Sequence, residues 1–229
     1  MNVAIIQFPG TNCDIDTHRV FSNLLKVDVS FVWHKENDLT NFDAVVLPGG
    51  FSYGDRLRAG VIAAHSPVIQ ALKNFSLKRK PIIGICNGFQ ILCETGLLPG
   101  ALLHNTNHKF ICKNIHLKTI SDNSILTNMI GDKSLKMPIA HGEGRYFAEA
   151  KTIAELETND QILFKYCNDN GKVTKEANPN GSIKNIAGVC NKDRNVFGMM
   201  PHPERAADIE LKSTNGRKLF ESILSKTLA

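Results

Sequence analysis

The chain has 229 residues, a net charge of +5, 42% apolar residues and 21% charged residues. This composition excludes a disordered or collagen-like chain, and the length suits one domain with a well-buried core. No apolar run approaches the ~20 residues of a membrane-spanning helix. The few aromatic residues do not alternate with the basic runs at 78–80 and 109–118. Neither a membrane nor a nucleic acid is therefore predicted as a partner.

Strand and helix patterns alternate through the first 95 residues. Short apolar runs predict buried strands over residues 3–8, 27–33, 42–47 and 81–85. Helical spacing predicts helices near 15–25, over 57–72 with an interruption at Pro67, and over 87–95. This alternation predicts an α/β fold, in which a mostly parallel central sheet is flanked by helices.

The pattern changes after Gly100 to shorter strands, the earlier ones more antiparallel in character. Strands are predicted over 110–117, 136–140, 145–147, 161–167, 183–190 and 195–200, and a closing helix over 216–228. The polar segment 168–182 is rich in Asn and Gly and is predicted to be a flexible loop. Because no repeat or linker is visible, a single domain over residues 1–229 is expected.

Six cysteines stand at positions 13, 86, 93, 112, 167 and 190, and no pair has CxxC spacing. The chain is also far larger than disulfide-stapled miniproteins, so we interpret the cysteines as thiols of a reducing compartment. The first residues, MNVAIIQFPG, predict a strand rather than a signal peptide. A cytoplasmic protein is the expectation.

The stretch PIIGICNGFQ places Cys86 between a predicted strand and a predicted helix. Gly84 and Gly88 remove side chains on either side of it. A nucleophile at a sharp strand-to-helix turn with small neighbours is the arrangement called a nucleophile elbow. Most free cysteines are small buried hydrophobes, so both interpretations of Cys86 stay open on this stretch alone.

A second unusual segment, MMPHPER, follows the last predicted strand, and ligands of open α/β sheets bind at the carboxyl ends of strands. Pro201 and Pro203 hold His202 extended, so the side chains of His202 and Glu204 can project to the same side. A glutamate that accepts a hydrogen bond from Nδ1 leaves Nε2 free as a base. With Cys86, these residues form a candidate Cys-His-Glu triad. The alternative is a loop histidine beside a surface glutamate.

A thiolate that attacks a carbonyl also needs donors for the oxyanion. The amide of Asn87 lies at a predicted helix N-terminus, where N–H groups are unpaired. The Gly49-Gly50 turn allows a close backbone approach for a second donor, although an ordinary tight turn explains it equally well. In AHGEGRY, His141 and Glu143 are candidate binding or structural residues. No phosphate-loop, dinucleotide or zinc spacing is present, so no cofactor or metal is predicted on this chain.

Together, the motifs GICNGFQ, PGGFSYGD and PHPE resemble those of the class I glutamine amidotransferases. Within that class, FPGTNCD, GGFSYGD, GICNGFQ, HGEGRY and MPHPER are similar to motifs of the glutaminase subunits of phosphoribosylformylglycinamidine synthase, and they span residues 8–205. The resemblance implies a flavodoxin-like fold and hydrolysis of glutamine to glutamate and ammonia. The ammonia would pass to an ATP-dependent synthetase subunit that converts formylglycinamide ribonucleotide to formylglycinamidine ribonucleotide in de novo purine biosynthesis.

The resemblance also implies roles for individual residues. Cys86 would be the nucleophile, His202 the base and acid, and Glu204 the residue that orients it. The oxyanion would be bound by the backbone amides of Gly50 and Asn87, and the substrate glutamine by Gln90, His141, Gly142 and Glu143.

The same resemblance implies a large synthetase subunit and a small bridging subunit as partners, with ATP and magnesium expected on the synthetase. Two alternatives stay open. One is a different cysteine amidotransferase or a γ-glutamyl hydrolase, and the other is a catalytically silent module that binds an amino acid or a partner.

Overall fold

The structure is a computed structural model that describes residues 1–131 and 134–227. The strands are β1 (Asn2–Gln7), β2 (Asp28–Trp33), β3 (Ala44–Leu47), β4 (Ile82–Ile85), β5 (Ala101–Leu103), β6 (Ile111–Thr119), β7 (Leu135–His141), β8 (Arg145–Phe147), β9 (Ile162–Cys167), β10 (Ile186–Cys190) and β11 (Val196–Met199). The helices are α1 (Asp14–Arg19), α2 (Val68–Leu77), α3 (Asn87–Glu94), α4 (Ala150–Thr158) and α5 (Arg217–Thr227). No described helix has the length and apolarity to span a membrane.

Nine of these strands form one sheet in the order β2-β1-β3-β4-β11-β10-β9-β6-β7, and β5 pairs with β8 in a small separate sheet. The first five strands in this order, β2, β1, β3, β4 and β11, pair parallel to one another. The remaining strands, β10, β9, β6 and β7, each pair antiparallel with the strand before them. Residues of β3 and β4 are buried on both faces, as parallel strands between helices must be. The predicted α/β fold with a central, helix-flanked sheet is confirmed.

The carboxyl ends of three parallel strands meet at one edge of this sheet. In the register of the sheet, Leu47 of β3 lies opposite Gly84 of β4, and Ile85 of β4 lies opposite Met199 of β11. The segments that follow these strands begin with Pro48, Cys86 and Met200. The three motifs singled out in the sequence therefore lie side by side, although the chain separates them widely.

Several elements differ from the sequence-based predictions. The helix expected over 57–72 is replaced by a short 3₁₀ turn, Ala63–His65, and by α2, which begins only after Pro67. Proline is tolerated there because the first residues of a helix need no N–H partner. The helix expected near 15–25 is α1 followed by a π-helical turn, Val20–Leu24. Of the closing helix expected over 216–228, the last residue lies outside the described residues.

Two elements were not predicted. Helix α4 buries only Ile153 and Leu156, so its apolar pattern is too short to stand out from the surrounding polar residues. Strand β5 has three residues and depends on β8 for its hydrogen bonds. The segment 168–182 is irregular as predicted, but hydrogen bonds tie its end to the rest of the fold: Asn180 Nδ2 donates to the carbonyl oxygen of Gly144 at 2.8 Å.

Candidate active site

Cys86 lies at the junction of β4 and α3 with φ 51° and ψ −106°, a conformation that costs energy for a residue with a side chain. Its amide donates to the carbonyl of Met199 at 2.8 Å, and its carbonyl accepts from the amide of Gln90 at 3.1 Å. A Cβ on Gly84 would lie 2.7 Å from the carbonyl oxygen of Gly88, and one on Gly88 would overlap the carbonyl oxygen of Leu47. The sharp strand-turn-helix geometry predicted around Cys86 is confirmed.

His202 follows β11 and is extended, with φ −101° and ψ 91°, between two prolines. Its Nδ1 lies 2.6 Å from Oε1 of Glu204, and both side chains are buried. Its backbone amide donates to the carbonyl of Pro138 in β7 at 2.9 Å, which fixes the segment against the antiparallel half of the sheet. The predicted His202–Glu204 hydrogen bond is confirmed.

The environment of the imidazole favours its protonated form. Burial lowers the pKa of His202, but the carboxylate of Glu204 and the sulfur of Cys86 raise it, and the pKa lies well above its ordinary value. Nε2 of His202 is buried, and apart from the thiols of Cys13 and Cys86, which also raise the pKa of the ring, it has no partner among the described residues. This nitrogen is the atom available to exchange a proton with a ligand or a thiol.

The nucleophile candidate and the imidazole converge on Gly49. A Cβ on Gly49 would lie 2.7 Å from Cε1 of His202 and 3.4 Å from Cβ of Cys86, so only glycine fits between them. Both residues line one pocket of about 150 Å³, together with Asn12, Cys13, Gly50, Phe51, Phe110, Ala140 and Arg205. A larger surface pocket of about 390 Å³ beside α2 contains no cysteine or histidine. The smaller pocket is therefore the one equipped for nucleophilic chemistry.

The turn after β3 is held by the loop that follows β1. The amide of Cys13 donates to the carbonyl of Gly49 at 3.1 Å, and the amide of Phe51 donates to the carbonyl of Gly10 at 2.9 Å. The antiparallel bridge between Thr11 and Gly50 is made by the amides of Asn12 and Phe51, which donate to the carbonyls of Gly49 and Gly10. The amide of Gly50 therefore has no backbone acceptor among the described residues. The FPGTNCD motif thus acts by positioning this turn.

Asn87 is the first residue of α3, and its amide therefore has no carbonyl partner within the helix. Its side chain also organises the region: Oδ1 accepts from the amide of Ser52 at 3.1 Å, and Nδ2 donates to Oε1 of Gln90 at 2.9 Å. The amides of Gly50 and Asn87 lie on segments next to Cys86, and their role as oxyanion donors stays a prediction.

Gln90 lies one helical turn beyond Cys86 and is buried. Its Nε2 donates to the carbonyl of Glu143 at 2.6 Å, while its Oε1 accepts from Asn87. Gln90 therefore connects α3 to the HGEG segment, residues 141–144. Direct contact between Gln90 and a substrate stays a prediction.

The HGEG segment is organised by Asn105, a buried residue that the sequence analysis did not single out. Oδ1 of Asn105 accepts from the amide of Gly144 at 3.1 Å and lies 3.1 Å from Nδ1 of His141, and its Nδ2 donates to the carbonyl of His141. The amide of Asn105 donates to the carbonyl of Gly142 at 2.9 Å. Burial and the neighbouring His202 lower the pKa of His141 to about 4. His141 is thus a neutral residue at physiological pH.

An acidic edge, formed by Asp55 and Glu143, borders Asn87 and Gln90. Oδ1 of Asp55 accepts from Nδ2 of Asn87 at 3.3 Å, and Oε2 of Glu143 accepts from the amide of Ala59 at 3.2 Å. Burial and the charge of Glu143 raise the pKa of Asp55 to about 6. Since the charge of Glu143 acts on Asp55, a cationic ligand group beside the two carboxylates would be favoured.

A second thiol, that of Cys13, also lies beside the imidazole. Ligating atoms of Cys13, His202 and Glu204 all lie within 4.8 Å of one another. Nη2 of Arg205 donates to Sγ of Cys13 at 3.2 Å, and burial raises the pKa of this thiol. The sequence marks Cys13 only as part of a motif, because nothing in its local pattern indicates what it faces.

Comparisons with known proteins agree with this arrangement. The family model for a CobB/CobQ-like glutamine amidotransferase domain matches residues 1–225. Two relatives are called phosphoribosylformylglycinamidine synthase subunit PurQ. The one from Methanosarcina barkeri is 51% identical, and the match covers 98% of this chain and 97% of the relative. The one from Aquifex aeolicus is 52% identical, and the match covers 98% of this chain and 100% of the relative.

Solved structures of glutamine amidotransferases are also similar to this chain. A chain of PurLQS from Thermotoga maritima has a TM-score of 0.86 and 38% identity, with 98% of both chains covered. A glutamine amidotransferase from the same organism shares the fold at 17% identity, with a TM-score of 0.63 and with 100% of this chain and 98% of its own covered. The resemblance inferred from the motifs is confirmed. The chain belongs to the family of CobB/CobQ-like glutamine amidotransferase domains.

Proposed function

We propose that this protein is the glutaminase subunit of phosphoribosylformylglycinamidine synthase. It hydrolyses glutamine to glutamate and ammonia and supplies the ammonia to the synthetase subunit that forms formylglycinamidine ribonucleotide. Identity of about one half over the full length to relatives with this name favours it over another amidotransferase, a γ-glutamyl hydrolase or a silent module. The observation that carries the proposal is the convergence of Cys86 and the His202–Glu204 pair on Gly49.

The reaction begins when Nε2 of His202 takes the proton from Sγ of Cys86. The thiolate attacks the amide carbon of glutamine, and the resulting oxyanion accepts hydrogen bonds from the amides of Gly50 and Asn87. His202 returns the proton to the leaving nitrogen, and ammonia departs from the γ-glutamyl thioester. His202 then takes a proton from water, which attacks the thioester, and glutamate leaves with Cys86 restored.

Glu204, the two backbone amides and the turn at Cys86 each assist one part of this reaction. The Oε1 acceptor of Glu204 keeps the proton of the neutral ring on Nδ1 and stabilises the imidazolium once it forms. Loss of one oxyanion donor typically costs ~2.7–4 kcal/mol of transition-state stabilisation. The elbow at Cys86 aims Sγ into the pocket while α3 places the amide of Asn87 beside it.

The amino-acid end of glutamine would be held by the HGEG segment. The carbonyl of Glu143 accepts from Gln90 of α3, so this segment lies against the helix that begins after Cys86. The acidic edge of Asp55 and Glu143 suits the α-ammonium of the substrate, since a cation there relieves the repulsion between two carboxylates.

The whole chain, residues 1–229, acts as one domain in this proposal and works with the large synthetase subunit and a small bridging subunit. ATP and magnesium are assigned to the synthetase, since no phosphate-binding motif stands in this sequence. A cytoplasmic location stays a prediction.

The test is a glutaminase assay with the synthetase subunits added and withheld. Cys86→Ser and Cys86→Ala should abolish ammonia release, whereas Cys112→Ser, at an exposed thiol, should retain it. An electrophilic glutamine analogue should label Cys86, and turnover should rise when the synthetase is added. A Cys86→Ala variant that still releases ammonia would disprove the proposed mechanism.

A further inference from the structure

The segment that follows the Gly49-Gly50 turn has an unusual backbone. Tyr53, Asp55 and Leu57 have φ angles of 55°, 52° and 70°, in the left-handed region that disfavours residues with a side chain. Residues other than glycine persist in this region only where the surrounding structure holds them, and they cluster at functional sites. Three of them within five positions therefore require an anchor.

The side chain of Tyr53 supplies this anchor. Its Oη lies 3.1 Å from Nδ1 of His34 and 3.4 Å from Oγ of Ser66, and these two atoms lie 3.2 Å from each other. The ring of Tyr53 also meets the imidazole of His34 edge-on, with 5.7 Å between the ring centroids. His34 and Ser66 are buried, and they lie on other segments, one directly after β2 and one shortly before α2. A cluster of three polar groups thus ties the segment to the body of the fold.

The residues on either side of Tyr53 hold the side chain of Asn87. The amide of Ser52 donates to Oδ1 of Asn87 at 3.1 Å, and Oδ1 of Asp55 accepts from Nδ2 of Asn87 at 3.3 Å. Asn87 follows Cys86 directly and is the first residue of α3. A displacement of the turn Ser52–Asp55 would therefore move two hydrogen-bond partners of this carboxamide at once.

We propose that Tyr53 is a positioning residue of the glutaminase site. Its contact with His34 keeps the strained turn in place, and the turn keeps the carboxamide of Asn87 oriented. The amide of Asn87 is a predicted oxyanion donor, and Asp55 belongs to the acidic edge that suits the α-ammonium of glutamine. Tyr53 thus acts through other residues on both ends of the substrate. This catalytic consequence rests on the proposed function, whereas the effect on Asn87 does not.

The alternative is that Tyr53 serves only as an aromatic packing residue. Phenylalanine separates the two roles, because it keeps the ring and removes only Oη. His34 and Ser66 keep each other as partners in this variant, at 3.2 Å, so no buried group is orphaned and the protein should fold as before. Tyr146→Phe is the matched control. It also removes one hydroxyl, which donates to the carbonyl of Pro99 at 2.8 Å, outside this cluster.

NMR of the side-chain amide of Asn87 tests the positioning without an activity assay. Its ¹H and ¹⁵N resonances should shift in Tyr53→Phe and stay unchanged in Tyr146→Phe, and thermal unfolding shows whether each variant is folded. Ammonia release with the synthetase subunits present gives the catalytic effect. In Tyr53→Phe, kcat/KM for glutamine should fall about 10-fold, which corresponds to ~1.4 kcal/mol, the net contribution of a typical hydrogen bond. In Tyr146→Phe it should be unchanged.

Asn87 resonances that do not move in folded Tyr53→Phe would overturn the positioning role. Resonances that move while kcat/KM stays within about twofold of the unmodified protein would overturn the catalytic consequence. Ser66→Ala removes the longer contact of Oη, at 3.4 Å, and should shift the same resonances by less; it replaces Tyr53→Phe if that variant does not fold. If the unmodified chain releases no ammonia, the proposed function fails, and the resonances still decide whether Tyr53 positions Asn87.

Discussion

Replacement of Glu204 by glutamine tests how His202 is oriented. Oε1 of Glu204 lies 2.6 Å from Nδ1 of His202, and Oε2 is buried without a partner among the described residues. Glutamine has the same shape, but one oxygen becomes an NH₂ group. If this group takes the Oε2 position, a buried donor is left unsatisfied, which costs ~1–3 kcal/mol. If it takes the Oε1 position, it donates to Nδ1, and the ring proton must move to Nε2.

The second arrangement is favoured by the same ~1–3 kcal/mol, or about 5- to 160-fold at 1.36 kcal/mol per decade. A ring protonated at Nε2 cannot accept the proton of Cys86, so the variant lacks its base. The corresponding carboxylate-to-amide change in serine-histidine-aspartate triads lowers kcat by about 10⁴. We expect Glu204→Gln to lose about 10³- to 10⁴-fold in kcat, which corresponds to about 4–5.5 kcal/mol of barrier.

Glu204→Ala is the matched comparison, because it opens a space for water and does not impose the wrong tautomer. Although glutamine resembles glutamate more than alanine does, the Glu204→Gln variant should therefore be no more active than the Glu204→Ala variant. Steady-state ammonia release in the presence of the synthetase subunits gives the rates, and ¹⁵N NMR of the imidazole gives the protonated nitrogen. A Glu204→Gln variant within tenfold of the unmodified protein would refute this reasoning.

Three further variants test the surroundings of the triad. Gly49→Ala places a methyl group 2.7 Å from Cε1 of His202 and should lower both ammonia release and the thermal unfolding temperature, at a cost of ~1–3 kcal/mol for overpacking; unchanged activity would contradict the convergence. The pKa of Asp55 is about 6 in the folded protein and near 3.8 in the unfolded chain, so the folded protein binds this proton more tightly. The contribution of the protonated Asp55 to stability is therefore lost as the pH rises through 6. Asp55→Asn should thus stabilise the protein against urea at pH 8 but not at pH 3; equal urea midpoints at pH 8 would count against this. Asn105→Ala leaves several buried partners unpaired, each costing ~1–3 kcal/mol, and should raise KM for glutamine more than it lowers kcat. Asn107 is exposed, so Asn107→Ala should change neither constant.

The sequence was informative wherever a local rule applies to consecutive residues. Glycines on both sides of Cys86 indicate a turn too tight for side chains, and the prolines around His202 indicate an extended backbone. Both features are present in the structure, and both concern segments of fewer than ten residues. Strand positions in the parallel half were predictable for the same reason, since buried strands read as continuous apolar runs.

The residues that were missed depend on contacts between distant segments. Asn105 gains its importance only because β7 brings His141 and the following turn against it, and its own neighbours in the sequence are ordinary polar residues. The proximity of Cys13 to His202 likewise requires that the loops after β1 and β11 meet. Neither periodicity nor residue spacing in a single sequence predicts such contacts between distant segments.

The order of strands explains why the triad residues lie so far apart in the chain. After β4 and α3 the chain builds the small sheet of β5 and β8 and the antiparallel strands β6, β7, β9 and β10, and only then returns as β11, which pairs directly with β4. The antiparallel half also closes over the site: the carbonyl of Pro138 in β7 binds the amide of His202, and the carbonyl of Ala140 lies 3.8 Å from Sγ of Cys86. The parallel half thus supplies the nucleophile and the base, while β7 of the antiparallel half contacts both residues. Substitutions along β7 that shift this strand should therefore impair catalysis even where they touch neither the sulfur nor the ring.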